Sequence, residues 1–409
     1  MYNIYFYLII SFTVIFFIFD KYIDYLNTLN WSDKLPKEAK WIYDEKKYAK
    51  SQDYERTKHK FLNISSIFSF IITLLLLFSW WFWILDTFLW NYTDNTILLS
   101  LYFFWIIILI QTIIWFPFSY YSTFVIEEKF WFNKMTKKLF FIDSIKWLLL
   151  TYLIWWIISS ILIWIYIKIQ ADFWWVAWII LSIFSIFIMM FYSSLIVPLF
   201  NKQTPLEDWE LKKAINEFAL KVWFKLDNIF VIDWSKRSSK ANAYFSWFWP
   251  KKRIVLYDTL INDLTTKELV AVLAHEIGHY KKKHTMQMLI FSIIQTWIIM
   301  FLFSLIIDNK EIAIALWSEK ASFHIWAIAF SILFTPISLI LGILRNIFSR
   351  KNEYEADNFA KENYSGQELI NWLKKLSVNN LSNLLPHKVY EFVHYSHPTV
   401  LKRIKNLTK

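Results

Sequence analysis

Two histidines four residues apart, with a glutamate directly after the first, stand in the segment ELVAVLAHEIGHYKKKHT: His275, Glu276 and His279. On a helix, residues four apart share a face, so both imidazoles can present a nitrogen to one Zn2+ at about 2.0–2.1 Å. Glu276 projects about 100° away, where it reaches a water beside the metal rather than the metal itself. This spacing serves metal-assisted hydrolysis of a peptide bond, with His275 and His279 binding the ion and Glu276 taking a proton from the attacking water. An ordinary amphipathic helix is the competing account. Against it, the preceding Leu269, Val270, Val272 and Leu273 are apolar, as a buried catalytic helix requires.

A catalytic zinc needs a third protein ligand and leaves a fourth position for water. The chain has no Cys, so that ligand is another His or a carboxylate. In SRKNEYEADNFAKEN, Glu353, Ala356, Asp357 and Ala360 share one helix face, and the two alanines permit close packing on the first helix. Glu353 is therefore the first candidate; Glu355, pointing elsewhere, is the second. Asp357 is placed to accept a hydrogen bond from the far nitrogen of a ligand His and so fix its tautomer. The competing account makes Glu353 and Asp357 a solvated helix face. Four other histidines receive no role: His59 and His284 stand among lysines near membrane boundaries, His387 is next to a Pro, and His324 is expected near the headgroups.

The elements that position these groups are readable from periodicity and caps. A helix is expected over Thr265–Lys282, with Thr265 or Thr266 as cap and Glu268 near its first turn. Another is expected over about Asn352–Asn363, and a third over Leu206–Trp223, with Leu211, Ile215, Phe218 and Ala219 on one side. Phe230–Ile232 and Arg253–Tyr257 read as short strands flanking the polar loop Ser235–Ser239.

The rest of the chain is a membrane protein. Hydrophobic residues make up 57% of it and charged residues 19%, outside the usual range of a soluble domain. Seven stretches free of Asp, Glu, Lys and Arg are each long enough to span a hydrocarbon core of about 30 Å. They are Met1–Phe19, Phe61–Leu85, Asn95–Ile126, Trp147–Ile167, Phe173–Asn201, His284–Ile307 and Ala321–Leu344. The first lacks a basic leader and a small-residue cleavage site, so it reads as a retained helix rather than a signal peptide. The expected architecture is mainly α, a seven-transmembrane-helix protein with a cytosolic zinc metallopeptidase domain containing a small β element. Residues 1–200 form an N-terminal membrane domain of five spans, and residues 201–409 form the metallopeptidase domain, including spans at about 285–307 and 321–344.

Basic residues orient it. Ten Lys and Arg lie between Lys21 and Lys60 and four between Lys129 and Lys138, whereas Asn91–Asp94 and Gln170–Asp172 carry none. Lysine-rich loops stay cytosolic, which puts the N-terminus outside and residues 202–283 and 345–409 in the cytosol. The net charge of +11 is spread over those cytosolic loops and mixed with Asp and Glu, so it indicates anionic lipid headgroups rather than nucleic acid.

Only 3 Gly accompany 25 Trp, and Trp234, Trp247 and Trp249 stand at turn positions where a residue without Cβ is favoured. A source that reads UGA as glycine, translated with UGA as tryptophan, would give this pattern. An intact mass matching the sequence as written would contradict it.

Across nearly its whole length the chain resembles the integral-membrane CAAX prenyl proteases of type I, a gluzincin-like metallopeptidase family. The resemblance is carried in order by YDEKKYAKSQDYERTKHKF at 43–61, VPLFNKQTPLED at 197–208, SKRSSKANAYF at 235–245 and KKRIVLYDTLI at 251–261. HEIGH at 275–279, EYEAD at 353–357 and HYSHPTVLKRI at 394–404 complete it. It implies one zinc on His275, His279 and Glu353, Glu276 as general base, and Asp357 behind the ligands. It further implies that His397 donates to the oxyanion or leaving amine, that Asn242 lies where substrate backbone pairs, and that Arg403 lines the active site. The implied partner is a peptide or protein substrate, lipidated or not. The implied setting is a bacterial-type cell membrane or the endoplasmic reticulum, with a large chamber among the helices. Two alternatives stand beside this: a quality-control membrane protease of the heat-shock type, which shares HExxH and the EYEAD-like element, and a transporter or scaffold. Transporters place ionisable groups or broken helices at mid-membrane, and these spans offer almost none.

Overall fold

The computed structural model describes residues 2–207, 209–226, 228–240, 243–246, 253–318, 320 and 322–409, with 171, 243–246 and 253 described in backbone only. Asn242, Trp247 and Trp249 lie outside the described residues.

Among the described residues, six helices are long and apolar enough to cross a membrane: Ile4–Thr28, Glu45–Phe78, Thr96–Glu127, Lys137–Ile169, Phe173–Phe200 and His284–Ser304. A seventh is a bent pair, Phe323–Leu333 followed after a 57° bend by a helix starting at Thr335. Pro336 sits in the first turn of that second helix, where its missing N–H has no intrahelical partner to lose. Leu75, Ile113, Leu149, Ile183 and Ile294 are exposed on these helices, the inverse of a soluble fold and the surface a bilayer covers. The membrane core draws on both halves of the chain, packing Phe6, Phe103 and Ile163 with Phe303, Ile325 and Trp326.

The two ends of the first span lie at opposite ends of the bundle. Asn3 Nδ2 donates to Glu311 Oε2 at 3.0 Å, in the connection after the sixth span. At the other end the His387 amide donates to Asn27 Oδ1 at 3.0 Å. The N-terminus therefore lies at the end of the bundle opposite His387.

Two boundaries differ from the sequence reading. The second span ends at Phe78, because Ser79 is extended, and Trp81–Trp90 forms a separate short helix. Around that helix His324 is fully buried rather than at the headgroups, since Asp86 Oδ1 lies 2.9 Å from Nε2 and Ser100 Oγ 3.0 Å from Nδ1. Both its nitrogens thus have partners, which is what burial demands. The helix expected from about Asn352 is instead continuous with the last span, running Thr335–Ala360, since nothing between Leu344 and Asn352 breaks it.

The C-terminal half builds a four-stranded sheet of order β1-β2-β4-β3, from β1 (Gln203–Pro205), β2 (Asn228–Ile232), β3 (Ala243–Ser246) and β4 (Arg253–Tyr257). β2 and β4 pair in parallel, while β1 and β3 add antiparallel at the two edges. The sheet shares one core with the helices Trp209–Lys221, Thr266–Lys281 and Gly366–Asn379, through Ile254, Leu256, Leu211, Ile215, Val270, Leu273, Leu369 and Leu373. Thr266–Lys281 begins with a capping box: Thr265 accepts from the Glu268 amide and Glu268 accepts from the Thr265 amide.

Among the described residues, seven non-glycine residues have positive φ, and three are tryptophans: Trp131, Trp223 and Trp317. Each sits at the left-handed position just past a helix end. The Phe224 amide reaches Ala219 O and the Trp223 amide reaches Leu220 O, and the same pair of bonds recurs at Trp131 and Trp317. This is the Schellman arrangement, whose left-handed residue is usually Gly. Trp234, by contrast, has no positive φ and packs its ring 5.1 Å from Tyr257. Trp223 is 91% exposed, so its ring contributes little, while its Cβ costs about 1 kcal/mol in this conformation. Trp223→Gly should therefore raise the thermal midpoint of the detergent-solubilised protein, and Trp234→Gly should lower it.

Candidate metal centre

The helix Thr266–Lys281 carries His275, Glu276 and His279 into the interface with Thr335–Ala360, which carries Glu353 and Asp357. The approach is closest at Gly278. A Cβ built there would stand 3.0 Å from Ala356 Cα and 3.1 Å from Ala356 O. Of the three glycines, this one has no room for a side chain, and Ala356 opposite is fully buried. Gly278→Ala must push the two helices apart and move Glu353 relative to the histidines. Overpacking of this kind costs about 1–3 kcal/mol, and small misplacements of a site can cost up to about 100-fold in rate. We expect Gly278→Ala to lower kcat at least about tenfold and to depress the thermal midpoint, read by turnover and melting of the same preparation.

His275 Nε2 lies 3.2 Å from His279 Nε2. Glu353 Oε2 is 3.5 Å from His275 Nε2, and Glu353 Oε1 is 3.3 Å from His279 Nε2. Three ligand atoms bound to one zinc at about 2.0–2.1 Å and tetrahedral angles stand about 3.3 Å apart, so the spacing fits. The proton positions fit as well. Asp357 Oδ1 is 2.8 Å from His275 Nδ1 and accepts a hydrogen bond from it, which keeps the proton on Nδ1 and leaves a lone pair on Nε2. That lone pair, the facing nitrogen of His279 and two carboxylate oxygens converge, and either a proton on His279 Nε2 or a cation among them offsets their mutual repulsion. Glu353 Oε2 is buried and receives no well-aligned hydrogen bond, its one cationic neighbour being the Arg403 guanidinium 3.1 Å away. The His279 imidazole responds accordingly: burial alone would lower its pKa, but the Glu353 hydrogen bond and the charges of Glu276 and Glu353 raise it. Burial raises the Glu276 carboxyl above its ordinary value, with Glu353 adding to the rise and His275, His279 and Arg403 opposing it.

Arg403, expected to line the active site, is 6% exposed behind the carboxylates. Its Nε and Nη2 donate to Asp357 at 2.9 and 2.6 Å, and Nη1 is 3.1 Å from Glu353 Oε2. His397 stands at the open side with its side chain 62% exposed and Nε2 3.4 Å from Glu353 Oε1. Glu355, the second candidate for third ligand, is not in the group that could hold an ion; its carboxylate meets His284 instead. His284 itself, given no role in the sequence, is 2% exposed and touches His279.

The loop before β3 is fastened to the membrane helices. Lys240 Nζ donates to Glu127 Oε2 and to Tyr54 Oη, both at 2.7 Å, and Arg237 pairs with the buried Asp143 at 2.7 Å. These contacts fix the start of the edge strand against the bundle.

Comparison with known proteins adds to this geometry. Residues 24–202 match the model of the CAAX prenyl protease N-terminal region with five membrane helices, and residues 205–409 match peptidase family M48. CAAX prenyl protease 1 of Saccharomyces cerevisiae is 37% identical, with 98% of this chain and 94% of that protein covered. The Dictyostelium discoideum homologue is 34% identical over 99% and 97%, and the Homo sapiens homologue 32% over 91% and 88%. The crystal structure of S. mikatae Ste24p superposes with a TM-score of 0.91 at 38% identity, covering 99% of each chain.

Proposed function

Because the chain belongs to the M48 peptidases and to their CAAX prenyl protease 1 group, we propose that His275, His279 and Glu353 hold one zinc ion and that Glu276 is the general base for peptide hydrolysis. It is an integral-membrane metalloprotease of the CAAX prenyl protease type. The observation that carries the assignment of residues is the convergence of His275 Nε2 and His279 Nε2, 3.2 Å apart, with one Glu353 oxygen 3.5 Å from the first and the other 3.3 Å from the second, and the His275 lone pair turned inward by Asp357.

Zinc bound there supplies a Lewis acid that polarises the scissile carbonyl and acidifies the attacking water. Glu276, with its carboxyl raised by burial, takes the proton from that water and delivers it to the leaving nitrogen. Asp357 holds the His275 tautomer, and Arg403 holds Asp357 and Glu353 in place. His397, at the open side, is placed to donate to a developing oxyanion or to the leaving amine. Substrate backbone adds along β3, the sheet edge that directly follows Asn242, as an extra strand.

The substrate is the C-terminal segment of a membrane-associated peptide or protein carrying a prenyl group, cleaved from the cytosolic side. The positive-inside pattern and the placement of Asn3 and His387 at opposite ends of the bundle support that orientation. The membrane is the endoplasmic reticulum or a bacterial-type cell membrane. The test is cleavage of a quenched prenylated CAAX peptide beside its unprenylated twin, by wild type, Glu276→Ala and chelator-treated protein. Zinc- and Glu276-dependent cleavage that needs the prenyl group is expected; equal cleavage of both peptides would overturn the prenyl requirement.

A further inference from the structure

His279 has a partner that the ligand set does not explain. The helix Thr266–Lys281 is capped by Lys282, and Lys283 takes a left-handed conformation, φ 60° and ψ 29°, before the next helix begins at His284. A lysine there is strained, because its Cβ crowds the carbonyl oxygen in this conformation. The turn brings His284 back against the residue five positions earlier: His284 Nδ1 lies 3.0 Å from His279 Nδ1, with the rings 5.0 Å apart and inclined at 74°. On its other side, His284 Nε2 lies 3.1 Å from Glu355 Oε2. His284 is 2% exposed, so neither nitrogen has bulk water as an alternative.

The proton count along this chain has one consistent solution. His279 must turn a lone pair on Nε2 towards His275 Nε2 and Glu353 if it is to bind a cation, so its proton sits on Nδ1. That proton needs an acceptor, and His284 Nδ1 is the atom in reach. His284 then carries its own proton on Nε2 and donates it to Glu355, a carboxylate. His275 uses the shorter version of the same arrangement, giving its Nδ1 proton directly to Asp357. Glu353, Glu355 and Asp357 all come from one helix, so one element supplies a metal ligand and the terminal acceptor behind each ligand histidine. His284 cannot be an additional ligand of the same ion, because it faces the nitrogen of His279 that points away from it.

We propose that His284 is a positioning residue which, backed by Glu355, fixes the tautomer and ring orientation of His279. This rests on the reading of His279 as a metal ligand. Losing such an outer partner typically weakens metal binding by about 10–100-fold.

The experiment measures zinc affinity of the purified full-length protein by chelator competition, alongside kcat and KM. The variants are His284→Phe, His284→Asn, Glu355→Gln and, as a separate arm, His279→Ala. His284→Phe fills the space without an acceptor and should weaken zinc binding by about tenfold or more, lowering kcat more than it changes KM. His284→Asn keeps an acceptor oxygen near the position of Nδ1 and should recover most of that loss. Glu355→Gln, which keeps an acceptor oxygen, should weaken zinc binding by a smaller factor than His284→Phe. Wild-type affinity in His284→Phe, or equal loss in the Phe and Asn variants, would overturn the proposal. Should His284→Phe fail to fold, unchanged zinc affinity in Glu355→Gln overturns it instead. Unchanged zinc affinity in His279→Ala would instead overturn the metal-ligand reading on which the proposal rests.

Discussion

Glu276→Gln, purified with its full complement of zinc, should hydrolyse peptide at least about 1,000-fold more slowly than wild type, a loss of about 4 kcal/mol of transition-state stabilisation. Gln keeps the shape of the side chain and can still hydrogen-bond a water, but it cannot take its proton. The carboxylate it replaces faces His275, His279, Glu353 and Arg403, and burial has moved its pKa upward, towards the range where a base works best near neutral pH. The effect belongs in kcat, since proton transfer occurs only in the transition state. Single-turnover rates and elemental analysis of the same sample check it. A variant retaining zinc and a tenth of the wild-type rate would remove Glu276 from the role of base.

Glu353→Ala should act through the metal instead. Glu353 is 5% exposed and is the only one of the three converging groups that carries negative charge. Without it, zinc affinity should fall by more than about 100-fold, beyond the loss typical of an outer partner. A second effect follows from Arg403, which pairs with both Glu353 and Asp357 at 7% side-chain exposure or less. Removing one carboxylate leaves that buried guanidinium half-compensated, and breaking a buried pair costs about 3–5 kcal/mol. Glu353→Ala is therefore expected to lose both zinc and thermal stability, and added zinc should restore neither fully. Glu276→Gln, which leaves the ligands and Arg403 intact, should lose only rate. Zinc titration and melting curves on the two variants separate these effects.

Much of this site is local in sequence and was readable there. His275, Glu276 and His279 lie within five residues, and Glu353 and Asp357 are one helical turn apart, so helical period alone placed each set on its face. Thr265 and Glu268 announced the helix start, and the capping box is present. What escaped depends on contacts between distant segments or on backbone conformation. His284 looked like a boundary histidine among lysines because its role needs the left-handed turn at Lys283. Arg403 is placed at the active site by the family resemblance alone; its pairing with Asp357, 46 positions away, has no periodicity to announce it. β1 is three residues long and contains Pro205, which suits an edge and gives no strand signal by itself. The left-handed tryptophans carry no sequence signal for a related reason: turn-like motifs surround Trp234, whereas the backbone requirement falls at helix ends, on Trp131, Trp223 and Trp317.

The central claim is that one zinc ion sits among His275, His279 and Glu353. X-ray absorption at the zinc edge of the purified full-length protein, with Glu353→Ala as control, tests it most directly. The account predicts one zinc per chain with two imidazole nitrogens and a carboxylate oxygen at about 2.0–2.2 Å, and loss of that signal in the variant. A zinc shell without imidazole scattering, or one unchanged in Glu353→Ala, would contradict it.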